Sequence, residues 1–152
     1  MIVIFEGPDG GGKDTVRRAF EKNNGFEHVC TTRLFFSDIV YADYYDRPLF
    51  SDVGAFKKFI DGIKLFMEKF NVLIVYVTAN KDVIYNRIKD RGERIDNQPN
   101  LTSVEALFKL YLKQWAPKGR VCTIDTSVNP LYESVQIIED VLSKIQKRRL
   151  VK

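Results

Sequence analysis

The sequence predicts an α/β fold in which a parallel sheet is covered by helices on both faces. Three observations predict it. Short apolar runs alternate with longer segments of helical periodicity, the order of strands joined by crossover helices. The first apolar run leads into a glycine-rich loop and then a helix. Apolar residues make up 45% of a 152-residue chain, enough for one domain with a real core.

The elements follow in order. Ile2–Phe5 is a continuous apolar run, the pattern of a strand buried on both faces. Asp14–Lys22 reads as a helix with Val16 and Phe20 facing inward, stopped by Asn23, Asn24 and Gly25. Phe26–Thr32 reads as a second strand, with His28 an ordinary strand or strand-edge residue. Arg33–Phe50 is aromatic-rich and irregular, with a turn signal at Asp46-Arg47-Pro48. Ser51 or Asp52 is placed to cap the next helix. There Val53, Phe56, Ile60, Ile63, Met67 and Phe70 recur at helical spacing as core packing. Val72–Val77 is the third strand and the sheet centre. Asn80 caps a helix running to about Arg91, and Gly92–Leu101 is charged and loop-like. Thr102-Ser103-Val104-Glu105 has capping-box form, and Val104, Leu107, Phe108, Tyr111 and Leu112 continue as a helical stripe. Val121–Ile124 is a fourth strand, and Leu131, Val135, Ile138, Leu142 and Ile145 mark a last helix. With no repeat, linker or low-complexity stretch, residues 1–152 read as one domain.

Composition narrows the function classes. The longest apolar run, near Val72–Val77, is far too short to cross a bilayer. The opening MIVIFEG has no basic leader and no small-residue cleavage site, so a cytoplasmic setting is expected. Cys30 and Cys122 lie in strand-like stretches and read as buried free thiols. Two cysteines and one histidine make no zinc pattern. A net charge of +4 suits acidic ligands such as nucleotides. Lys144, Lys147, Arg148, Arg149 and Lys152 read as a helix C-terminus complementing its dipole, then a solvated tail. No aromatics interleave with them to stack nucleic-acid bases.

The loop Gly7-Pro8-Asp9-Gly10-Gly11-Gly12-Lys13 satisfies G-x-x-x-x-G-K between a buried strand and a helix, the context that motif requires. Glycines let the backbone curl so that successive N–H groups point at phosphate oxygens. The following helix turns its positive end toward the same anion, and Lys13 reaches the β- and γ-phosphates. This is a P-loop, so the expected architecture is the three-layer α/β/α sandwich of P-loop NTPases, and ATP is the expected cofactor. Gly7, Asp9, Gly10, Gly11, Gly12, Lys13, Asp14 and Thr15 are its nucleotide-binding candidates. The position after the lysine is ordinarily Ser or Thr, whose hydroxyl ligates Mg²⁺; here it is Asp14.

The run Phe5-Glu6-Gly7-Pro8-Asp9-Gly10-Gly11-Gly12-Lys13, with Thr15, resembles the opening of thymidylate kinases, including short phage-encoded relatives. Thr32-Arg33-Leu34-Phe35-Phe36-Ser37-Asp38-Ile39-Val40-Tyr41 resembles the phage-type D-R-x-x-x-S-[DE]-x-V-Y segment. Asn86-Arg87-Ile88-Lys89-Asp90-Arg91-Gly92-Glu93 resembles the arginine-bearing helix and lid that follow the central strand, with the lid near residues 91–101. The resemblance covers most of the chain and implies roles. Arg33 would hold the acceptor phosphate and Asp9 would lie near the acceptor sugar. Arg87, Arg91 and Arg94 would clamp the transferring phosphoryl group. Phe35, Phe36, Tyr41, Tyr44 and Tyr45 read first as core packing, with faces for base stacking as the alternative for each. The family has Asp where this chain has Thr32, so Asp14 and Thr32 read either as a reciprocal swap at the expected Mg²⁺ site or as a weakened metal site with catalysis lost. Thymidylate kinases commonly dimerise, and the apolar 53–70 segment leaves a homodimer open.

A nucleoside monophosphate brings its own anionic oxygen nucleophile, so phosphoryl transfer to it needs positioning and charge neutralisation rather than a base. The many arginines and the lack of an obvious acid–base pair fit that reading. Two alternatives stand. One is a kinase for a nucleoside or polynucleotide end, which needs a carboxylate base, with Asp38 or Glu6 as candidates. The other is a non-catalytic nucleotide-binding or regulatory protein.

Overall fold

A computed structural model describes the backbone of residues 1–150 and the side chains of residues 1–147. Four strands, β1 (Ile2–Glu6), β2 (Val29–Thr32), β3 (Val72–Thr78) and β4 (Val121–Asp125), form a parallel sheet in the order β2-β1-β3-β4. The two interior strands are those with unbroken apolar runs, and Val3–Phe5 and Val72–Val77 are buried throughout. Edge strand β2 is only partly covered.

Side-chain alternation along the interior strands builds two cores. Val3, Phe5, Leu73, Val75 and Val77 face α1 (Lys13–Asn23) and α6 (Leu131–Leu150), meeting Val16, Phe20, Ile138 and Leu142. Ile4, Val72, Ile74 and Tyr76 face the other way, against α2 (Phe36–Tyr44), α3 (Val53–Lys69) and α5 (Leu101–Trp115). The result is the expected three-layer α/β/α sandwich. A smaller cluster of Ala79, Ile84, Ile88 and Leu101 seats α4 (Lys81–Asp90) beyond the carboxyl end of β3. Both cysteines are free thiols, Cys122 buried and Cys30 partly so.

Four local expectations change. The segment expected to be irregular holds α2, whose N-cap residue Phe35 offers no side-chain cap. The carboxylate that caps it comes from β1, so no local signal marks the helix. The second strand is shorter: Phe26 takes a left-handed φ of 61° in the turn after α1, and pairing starts at Val29. The capping box at Thr102 does not form. Asn100 accepts from the Ser103 amide at 3.1 Å and starts α5 at Leu101, while Glu105 accepts from the Thr78 hydroxyl instead. Along α3, Ile60, Ile63 and Met67 are buried, but Val53 is 84% and Phe70 57% exposed, so the ends of the apolar stripe overrun the sheet. Asp52 and Asn80 cap as expected, accepting from Ala55 N at 2.7 Å and Asp82 N at 2.9 Å. Lys144, Lys147, Arg148 and Arg149 fall within α6, and Lys152 lies outside the described residues.

Candidate active site

β1 delivers the chain to the carboxyl edge of the sheet, where Gly7 turns with φ 138°. A Cβ there would collide with the Val77 carbonyl oxygen, and one on Gly11 would come within 2.9 Å of the same atom. The loop therefore lies directly on the end of β3, and only glycine permits that approach. Gly10 and Gly12 complete the curl with φ 76° and 94°. Gly12 is the N-cap of α1 and no side chain caps that helix. The first-turn amides of α1 are thus oriented for an anion at the loop.

Lys13 opens α1 and is 6% exposed. Its ammonium donates to the carbonyls of Gly7 at 2.9 Å and Pro8 at 2.6 Å, bridging the loop's first turn. Burial lowers its pKa from 10.5 to about 8, with the Glu6 and Asp14 carboxylates pulling the other way.

The loop is braced from behind. Arg87 of α4 donates to the Gly10 carbonyl at 3.1 Å and to the Thr126 hydroxyl at 2.8 Å. That hydroxyl lies 2.8 Å from the Gly11 carbonyl, to which it donates. Nothing in the sequence singles out Thr126 beyond its place just after the carboxyl end of β4.

In front of the loop is a cleft of about 450 Å³. Asp9, Gly10, Gly12, Lys13, Asp14 and Thr15 from the loop and α1 line it together with Thr32 at the end of β2, Arg33 just after it, and Arg87 and Arg91. Gly7 and Gly11 shape the loop behind. Arg33 holds a left-handed φ of 55°, its amide donates to Phe5 O at 3.0 Å, and its guanidinium forms an ion pair with Asp9. Arg91 is paired with Glu93 at 3.2 Å. Arg94 does not line the cleft; it faces solvent beside Asp96 at 3.9 Å, after the end of α4 and next to a 3₁₀ turn at Ile95–Asn97.

Asp14 and Thr32 share the cleft. Asp14 is exposed and lies 3.7 Å from Arg17 Nε. Among the described residues no group of three or more His, Cys, Asp or Glu side chains is placed to hold a metal ion. Mg²⁺ in nucleotide sites needs only one or two protein carboxylates, because phosphate and water oxygens complete its shell. One carboxylate with the hydroxyls of Thr15 and Thr32, beside the phosphate loop, is a donor set of that kind.

Glu6 is fully buried, and both of its oxygens are engaged at the start of α2. Of the aromatics, Phe36 is core, Phe35 packs edge-on against Phe66, and the Tyr44 hydroxyl accepts from Asn100 N at 2.7 Å. Tyr41 borders a narrow pocket with Pro8 and Asp9, while Tyr45 stacks on Tyr41 with centroids 6.4 Å apart.

A parallel sheet in this order, with a glycine loop leaving β1 and a lysine opening α1, defines a P-loop NTPase fold. Two solved structures share the architecture across the chain. Deoxyadenosine kinase from M. mycoides with bound dATP superimposes with a TM-score of 0.62 at 13% identity, covering 94% of this chain and 100% of that one. The M. mycoides deoxyadenosine kinase structure with bound dCTP gives 0.62 at 14% identity, covering 95% and 100%. No protein-family model and no curated protein matches the chain.

Proposed function

We propose that this chain is an ATP-dependent kinase that phosphorylates a (deoxy)nucleoside monophosphate, as its resemblance to thymidylate kinases suggests. The observation that carries the reading is the cleft itself, in which Lys13 and an uncapped helix N-terminus share one lining with Arg33.

The triphosphate lies in the loop, its oxygens taking the amides of Gly10–Thr15 and the Lys13 ammonium. The acceptor phosphate replaces the Asp9 carboxylate on Arg33. An acceptor phosphate oxygen attacks the γ-phosphorus in line, and the bond from that phosphorus to the bridging oxygen of ADP breaks. No proton has to leave the nucleophile, so no base is required. Arg91 neutralises charge on the transferring group. Residues 91–101 act as the lid of this single domain, and closure brings Arg94 over the cleft and excludes water. Arg87 contributes by holding the loop. Mg²⁺, held by Asp14 and Thr32, would supply further charge neutralisation on the β- and γ-phosphates. Nucleotides are then the partners and a cytoplasmic setting is inferred. No helix among the described residues is long and apolar enough to cross a membrane. The exposed Val53 and Leu65 of α3 and Phe70 at its C-cap leave surface for a homodimer.

A nucleoside acceptor is the second reading, favoured by one observation. Asp9 places a carboxylate in the cleft beside Arg33, where a hydroxyl nucleophile would need a base. The deoxyadenosine kinases of the same fold make that acceptor worth testing. Glu6 is unsuited to the task, because both of its oxygens cap α2.

The test is ADP release from Mg-ATP with each common NMP and dNMP, and with the matching nucleosides. Turnover dependent on a monophosphate and abolished in Lys13→Ala supports the proposal. Turnover with nucleosides alone selects the second reading. ATP binding without turnover points to a regulatory protein. The metal assignment has its own test. Mg²⁺ titrations of Asp14→Ser, Thr32→Asp and the double variant should show weaker metal dependence in each single variant and recovery in the double. A double variant no better than the worse single one defeats the swap.

A further inference from the structure

Glu6 is the one fully buried carboxylate among the described residues, and the phosphoryl-transfer scheme above gives it no task. Its position is unusual for an acid. It ends the interior strand β1 on the face that packs against α2. Glu6 Oε1 accepts from the amides of Leu34, Phe35 and Phe36 at 3.0, 3.1 and 3.1 Å. Oε2 accepts from the Ser37 amide at 3.1 Å and from the Ser37 hydroxyl. Four consecutive N–H groups thus converge on one carboxylate, the arrangement by which a helix N-terminus binds an anion, here with the anion built into the chain.

The four amides belong to the residues that immediately follow Arg33. That arginine is itself in a left-handed conformation, with its amide bonded to Phe5 O at 3.0 Å. Its backbone is therefore fixed on both sides by β1: by the Phe5 carbonyl at its own amide and by the Glu6 carboxylate at the next four. Glu6 also lies close enough to Lys13 to raise its pKa.

We infer that Glu6 is a positioning residue for acceptor recognition: it anchors the start of α2 so that Arg33 faces the cleft. The inference rests on the reading of Arg33 as the acceptor-phosphate ligand. Charge-assisted bonds to backbone amides are about twice as strong as neutral ones, and an amide in place of the carboxylate would turn an NH₂ toward backbone donors. The loss should be felt at Arg33 more than at the loop, whose curl is set by the glycines and braced by Arg87 and Thr126.

The experiment compares steady-state kinetics of the wild-type chain, Glu6→Gln, Glu6→Asp and Ser37→Ala, with ATP and acceptor varied separately. Assayed well below the Lys13 pKa of about 8, where that ammonium stays protonated without the Glu6 charge, Glu6→Gln should raise the acceptor KM about tenfold or more and leave the ATP KM within about twofold. Glu6→Asp, which keeps the charge, should recover part of that loss. Ser37→Ala removes only the hydroxyl bond and should give a smaller rise of the same kind, and it serves as the readout should Glu6→Gln not fold. Equal shifts in both KM values, or a fall in kcat alone, would overturn the inference and leave the kinase reading intact. Absence of turnover by the wild-type chain with any acceptor would overturn both.

Discussion

Lys13 shows how one residue carries both the loop's structure and its chemistry. Its ammonium is buried against two loop carbonyls, and burial brings its pKa down to about 8. Between about 8 and 10.5 the unfolded chain holds more protons at this position than the folded one, so this residue's contribution to stability improves as pH rises there. Nucleotide affinity moves the opposite way, because only the ammonium attracts phosphate. The ATP Kd should therefore weaken as pH rises through about 8 and be flat below it, a trend that Lys13→Ala should erase. Calorimetric titrations on either side of that pH check it, and an unchanged Kd above it would remove Lys13 from phosphate binding. Gly7 poses a purely steric case. With φ 138° and the Val77 carbonyl against its α-carbon, Gly7→Ala should cost about 1–3 kcal/mol in urea unfolding and weaken ATP binding with it. Both residues were legible in the sequence, because a phosphate loop needs those residue types at a fixed local spacing.

The helices differ in how visible their beginnings are. Asp52 and Asn80 cap α3 and α4 within three residues of themselves, and both were legible as capping residues. Asp52→Ala should lower stability by about 1 kcal/mol, read by chemical denaturation, and leave nucleotide binding unchanged, since α3 begins away from the cleft. A change in ATP affinity would show that α3 supports the site. α5 starts at Asn100 rather than Thr102, because Glu105 is drawn to Thr78 across the sheet edge and does not reach back to its own helix. α2 is the extreme case: its capping carboxylate is 28 to 31 residues away in β1, so nothing in the 33–50 segment announces a helix.

At the scale of the molecule, the cleft joins pieces that are far apart in sequence. The loop is closed behind by Arg87 and Thr126 and in front by Arg33, and Arg94 stands apart with Asp96. If the lid closes on nucleotide, Arg94→Ala should lower kcat by roughly a hundredfold or more with little change in ATP affinity. An unchanged kcat would mean that Arg94 stays in solvent through the reaction. The sequence by itself determined the P-loop, the alternation of strands and helices, and the two-faced burial of Val72–Val77. Each follows from local spacing, through backbone conformation or side-chain periodicity. Only the tertiary structure decided which groups meet at the site: Asp9 with Arg33, Arg87 with Thr126, and Glu6 with the start of α2. Those contacts depend on strand order and register, which bring residues 24 to 39 positions apart within bonding distance and leave no trace in the pattern along the chain.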